Sequence, residues 1–113
     1  MNIEKSILDI FAMTIAVDGR IDESELAVAN EILEEMKYDF NENSRAYLAE
    51  SSAAGDDVLK ENFHYAVKEL NSLESEDKKY ILKYILRLVD ADNIVHQNEV
   101  KLIGSIIDSW GVK

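Results

Sequence analysis

Ala16-Val17-Asp18-Gly19-Arg20-Ile21-Asp22-Glu23-Ser24-Glu25 lies near one end of the chain, and Asp90-Ala91-Asp92-Asn93-Ile94-Val95-His96-Gln97-Asn98-Glu99 repeats its frame near the other. Both stretches read D-(G/N)-x-(I/V)-x-x-x-E, displaced by 74 residues from Asp18 to Asp92. In each, an apolar helical run leads to an acid beside a residue that tolerates positive φ, then a β-branched residue, then a second acid just inside the next helix. That order describes a tight helix-to-helix corner carrying two carboxylates, with Gly19 and Asn93 expected in the left-handed region. The likeness continues outward, Ile7-Leu8 lying over Ile81-Leu82 and Ile32-Leu33 over Ile106-Ile107. The two ends of the chain therefore form a pseudo-repeat.

Outside the corners the periodicity is helical throughout. Ile3, Ile7, Ile10, Phe11 and Thr14 predict a first helix over 3 to about 17 with one buried stripe. Asp22, three residues before Glu25, forms a capping-box pattern that opens a second helix through Leu26, Ala29, Ile32, Leu33 and Met36. Asn41 or Asn43 can cap a short third helix containing Ala46, Tyr47 and Leu48, which the run Ser51 to Asp56 ends. Val58, Phe63, Ala66, Val67 and Leu70 mark a fourth. Ser75, ahead of Glu76 and Asp77, reads as the N-cap of a fifth helix over 76 to 89. Its apolar residues leave only a narrow polar edge at Lys83 and Arg87, so it is expected to be the central, most buried helix. Val100, Leu102, Ile103, Ile106, Ile107 and Trp110 make a sixth, with Gly111 as its C′ stop. With no proline, few glycines and no linker, the 113 residues predict a single all-α domain, 1–113, of about six helices.

Composition excludes several classes of function. The formal charge of −11 repels phosphate backbones and anionic lipid surfaces, so neither nucleic acid nor membrane is an expected partner, whereas a protein with a basic surface is. Cysteine is absent, which removes disulfides, thiolate metal sites and thiol nucleophiles and suits a reducing cytoplasm. The N-terminal stretch is amphipathic, with Lys5 and Asp9 inside it, and fails as a signal peptide. No segment approaches the roughly 20 apolar residues that a membrane span needs.

The corners copy the second half of an EF-hand loop, Asp18, Gly19, Ile21 and Glu25 taking the places of its later positions. The earlier positions fall on Thr14 and Ala16, and in the second copy on Leu88 and Asp90. Early acids supply much of a calcium shell of about six to eight oxygens, so neither corner is an EF-hand by itself.

Taken together, the two corners resemble the TerB-like family of tellurite-resistance proteins. Thr14 to Glu25 matches the first half of that pattern closely; Leu88 to Val95 through Glu99 matches the second, ending in Ser109-Trp110-Gly111-Val112. Asn93 departs from the family's glycine but still tolerates the left-handed turn. The resemblance implies a cytoplasmic, non-catalytic, all-helical domain linked to tellurite and chemical-stress systems, with clustered acids that bind a metal ion. Carried over residue by residue, the ligands it implies are Asp18, Glu25, Asp92 and Glu99.

Physical reasoning stands beside that implication. If a pseudo-twofold axis brings the corners together, four converging carboxylates repel one another unless a cation neutralises them. Oxygen donors favour Mg²⁺, Ca²⁺ or Mn²⁺, and His96 could add a nitrogen. The competing reading needs no ligand: Asp18 can accept amide hydrogens at a helix start, Asp22 and Glu25 can form a capping box, and the second corner can do the same with His96 or Asn98. On that reading the chain is a purely structural protein-interaction module. A small metal-dependent hydrolase is a third class, weakened by the lack of a nucleophile elbow or phosphate-cradling loop and by how little room for a cleft a bundle of this size is expected to leave. His64 is expected on the surface, Trp110, Tyr80 and Tyr84 in the core, and Glu31, Glu34 and Glu35 on a solvated face.

Overall fold

The computed structural model describes residues 2–17, 23–92 and 97–111. Six α-helices follow in order: α1 (Ile3–Ala16), α2 (Glu23–Glu35), α3 (Glu42–Ser52), α4 (Asp56–Leu70), α5 (Ser75–Val89) and α6 (Gln97–Trp110), with a short 3-10 turn at Asp90–Asp92 between the last two. No described residue lies in a strand, so the all-α expectation holds. None of the described helices is long and apolar enough to cross a membrane.

The central helix is α1, not α5. It packs against α3, α4 and α5, and Ser6 through Ala12 are buried without interruption. The sequence pattern hid this because Ser6 and Asp9 of α1 look like a solvated edge, beside the Thr14 already read as buried. Each is satisfied internally. The Thr14 hydroxyl donates to the Ile10 carbonyl at 2.8 Å, and the Ser6 hydroxyl to the Glu69 carboxylate at 3.4 Å. Asp9 accepts from Lys5 Nζ at 2.9 Å and from the Tyr47 hydroxyl at 2.6 Å. Hydrogen bonding to Asp9 holds the Lys5 ammonium above the usual lysine pKa. Helix α5, despite its richer apolar content, leaves Leu86 45% exposed. Val58 and Val100, expected in apolar stripes, are also exposed.

Helix ends follow local chemistry. Asn2 caps α1 by accepting from the Lys5 amide at 3.0 Å. Asn41 caps α3 in a reciprocal box, accepting from Ser44 N at 3.2 Å while its own amide donates to Ser44 Oγ at 3.1 Å. Gly55, with φ of 97°, makes the reversal between α3 and α4 in a region that side-chain-bearing residues avoid. The expected cap at Ser75 is displaced by one residue. The turn closed by Leu73 N donating to Leu70 O delivers extended backbone at Glu74, whose carbonyl accepts the first helical bond from Lys78 N, so Ser75 falls inside the first turn. Gly111, with φ of 64°, stops α6 as predicted, its amide donating to the Ile107 carbonyl at 2.9 Å.

The far ends of α4 and α6 are fastened to each other. Trp110 is buried and its indole N–H donates to the Val67 carbonyl at 2.9 Å. Lys78 Nζ donates to the Trp110 carbonyl at 3.1 Å and to the Asn71 carbonyl at 3.3 Å, setting one cation against the negative ends of two helices.

The pseudo-repeat is visible in burial. Ile7 and Ile81, Phe11 and Ile85, Ile15 and Val89, Ile32 and Ile106, and Met36 and Trp110 are all buried pairs at the same displacement. The first two helices and the last two thus present equivalent faces to one shared core.

Candidate functional site

Glu25 and Glu99 are the third residues of α2 and α6. Both are buried, at 4% and 2% exposure, which is unusual for glutamate in a chain with so many exposed acids. Their positions explain part of the tolerance: the first turn of a helix presents unpaired amides and the positive end of the dipole. Each glutamate is engaged in polar or electrostatic interactions.

The described residues that flank the two corners come together. Asn98, next to Glu99, donates its side-chain amide to the Val17 carbonyl at the end of α1 at 3.4 Å, across 81 residues of chain. The Asp90–Asp92 turn, which carries the start of the second corner, packs against α2, the helix that leaves the first.

Of the four implied ligands, Glu25 and Glu99 are described, each in the first turn of the helix that leaves its corner. Asp18 and the carboxylate of Asp92 lie outside the described residues, as do Gly19, Asp22, Asn93 and His96, on which the expectations of positive φ, a capping box and an added nitrogen fall. Among the described residues no group of three or more His, Cys, Asp or Glu gathers in a way that could hold a metal ion. What they contribute is one buried carboxylate per corner, the donor type that hard cations select, with the remainder of any shell left to Asp18 and Asp92.

Sequence reasoning missed the surface relief. A groove of about 450 Å³ runs between α1, α4 and α6, with Met13, Leu59 and Phe63 among its apolar lining and His64, Lys101 and Asn98 among its polar lining. The expectation that the bundle leaves little room for a cleft is corrected by it. No periodicity along one helix reports a gap between three. His64 is exposed as expected, its ring edge-on to Phe63 at 5.7 Å between centroids. It shares the groove with Ser105, but among the described residues no hydrogen bond joins the two. Trp110 and Tyr84 are buried as expected, and Tyr80 is half-buried with its hydroxyl accepting from the Lys37 amide at 2.8 Å. Glu31, Glu34 and Glu35 are exposed, the last two pairing with Arg45 and Arg87.

Comparison with curated proteins and with solved structures finds no match. The family model described as tellurite resistance protein TerB matches residues 6–113, which takes in both corners and all but the first turn of α1. With paired corners, an all-helical core and a match along nearly its whole length, the chain belongs to the TerB family.

Proposed function

We propose that the chain is a non-catalytic binding module of the cytoplasm whose adjoining corners respond to a divalent cation, Mg²⁺, Ca²⁺ or Mn²⁺, in a tellurite or chemical-stress response. The observation that carries this reading is the burial of Glu25 and Glu99 at equivalent positions of two corners tied by Asn98 and Val17. Carboxylates brought together out of water at the two corners would raise each other's energy, and a cation between them would relieve it. Asp18 and Asp92 would complete the set of oxygens. The cation supplies charge neutralisation there, while this chain's residues fix the corners against each other. The overall charge of −11 favours partners with basic surfaces at long range, whatever the local chemistry of one contact.

The alternative is a structural interaction module whose acids cap helices. It is favoured by one specific feature: Glu25 and Glu99 both occupy the helix position from which a glutamate reaches back to the residue before the helix. Calorimetric titration of metal-stripped protein with each of the three cations separates the two readings. Saturable heat that disappears in Glu25→Gln supports the cation reading; no heat with any of the three supports capping. Trp110 is a poor optical reporter for this purpose, since it stands about 16 Å along α6 from Glu99 at the helical rise per residue.

A further inference from the structure

We propose that the groove between α5 and α6 docks an acidic amphipathic helix of a partner protein. The proposal is independent of the cation reading. The groove encloses about 580 Å³, with Leu82, Leu86 and Ile107 as its apolar floor, Lys79, Lys83 and Arg87 along its α5 rim and Asp90 at one end. Spacing of four residues puts the three cations in one line along the helix.

The pseudo-repeat shows what such a surface holds. Displaced by 74 residues, Lys79, Leu82, Lys83, Leu86 and Ile107 correspond to Lys5, Leu8, Asp9, Ala12 and Leu33. In the first half the α1 part of that surface is covered by α3. The Lys5 ammonium lies 5.7 Å from the Tyr47 ring centroid, Asp9 accepts the Tyr47 hydroxyl at 2.6 Å, and Leu8 shares a cleft with Tyr47 and Ser44. Arg45 of α3 also reaches Glu34 of α2. Leu8, Ala12 and Leu33 are buried, whereas Leu86 is exposed and Leu82 and Ile107 are only half-buried. The second half thus carries the seat of a helix, and no described helix occupies it.

The chemistry of the seat selects its occupant. Asp9 is replaced by Lys83 and Met13 by Arg87, so a surface that takes a tyrosine hydroxyl in the first half is lined with cations in the second. Arg87 pairs with Glu35 at 2.5 Å and Lys83 lies 5.5 Å from the Tyr84 ring centroid, while Lys79 has no ion pair among the described residues. A helix laying leucine-like residues on the floor and carboxylates along the rim satisfies both features. A second copy of the chain, docked face to face about a twofold axis, would set the same three cations against each other. An anionic bilayer is flat where the groove is concave.

A display library of helical peptides tests this, with leucines fixed at i, i+3, i+4 and i+7 and Glu, Lys or Ala varied at the flanking positions, selected on the intact chain. The expected peptides are enriched in Glu over Lys at the flanks. A labelled member should bind about tenfold or more weakly to Leu86→Glu and to Lys83→Glu. Both substitutions lie at the surface, and a melting midpoint equal to the parent's certifies their fold. Recovery of no binder, enrichment in Lys, or unchanged binding by both variants overturns the proposal. So does dimerisation, or capture of phosphatidylserine vesicles, that is lost in Leu86→Glu without any peptide having bound.

Discussion

Asn98 donates its side-chain amide to the Val17 carbonyl at 3.4 Å, joining the start of the last helix to the end of the first. The bond is long and exposed, so its net contribution is small, but it is a direct polar tie between the two corners. Asn98→Ala should lower stability by about 0.5 kcal/mol, at the weak end for a neutral hydrogen bond, as measured by urea unfolding. If the corners act together, the same variant should weaken cation binding in calorimetry. Unaltered affinity would mean that the tie does not position the glutamates.

Two glycines offer a controlled comparison of backbone effects. Gly55 has φ of 97° with nothing within 4 Å of the place a Cβ would take, so Gly55→Ala should destabilise through conformational strain alone, by about 1–3 kcal/mol. Gly104 lies in the middle of α6 with equally open surroundings, and Gly104→Ala should stabilise by about 0.5–1 kcal/mol. Thermal melts of the two variants should move in opposite directions.

Trp110 and Lys78 fasten the far ends of α4 and α6. Trp110→Phe removes a buried donor to Val67 O, which still accepts from Asn71 N at 3.1 Å, so the loss should be about 1–3 kcal/mol rather than the larger penalty of an orphaned buried group. Lys78→Met should lose about 0.5–1 kcal/mol, and salt should shrink that difference because it rests on charge against helix ends. Urea denaturation at low and high salt checks both.

Six helices, the C′ glycine and the pseudo-repeat were legible in the sequence because each depends on spacing along one chain segment. The identity of the central helix was not. Ser6 and Asp9 look like a solvated edge until Glu69 and Tyr47 are placed beside them, and neither of these partners is local. The reverse error arose on α5, whose apolar residues read as core although Leu86 is exposed and Leu82 only half-buried. The corners were legible as a frame of acids, since equivalent positions repeat. Their adjacency depends on contacts across 81 residues, which no motif encodes. The grooves, formed between helices, left no trace in periodicity at all.

Charge sets the remaining expectation. At −11 the chain should show no binding to duplex DNA at physiological salt in fluorescence anisotropy, even though Lys79, Lys83 and Arg87 share one rim. Binding with a steep negative salt slope would contradict this and would locate the contact on that rim.

The central claim is that Glu25 and Glu99 are held against each other's charge and relieved by a cation. Thermal melting of the parent, Glu25→Gln and Glu99→Gln, each stripped of metal and then given saturating Mg²⁺, Ca²⁺ or Mn²⁺, tests it most directly. The account predicts that both variants melt higher than the parent without metal, and that the rise the parent shows on adding cation, about 3–4 kcal/mol of stabilisation at several hundred times the dissociation constant, is absent from both. Lower melting of both variants in metal-free buffer, with no cation-induced rise in the parent, would contradict it and leave the two glutamates as helix caps.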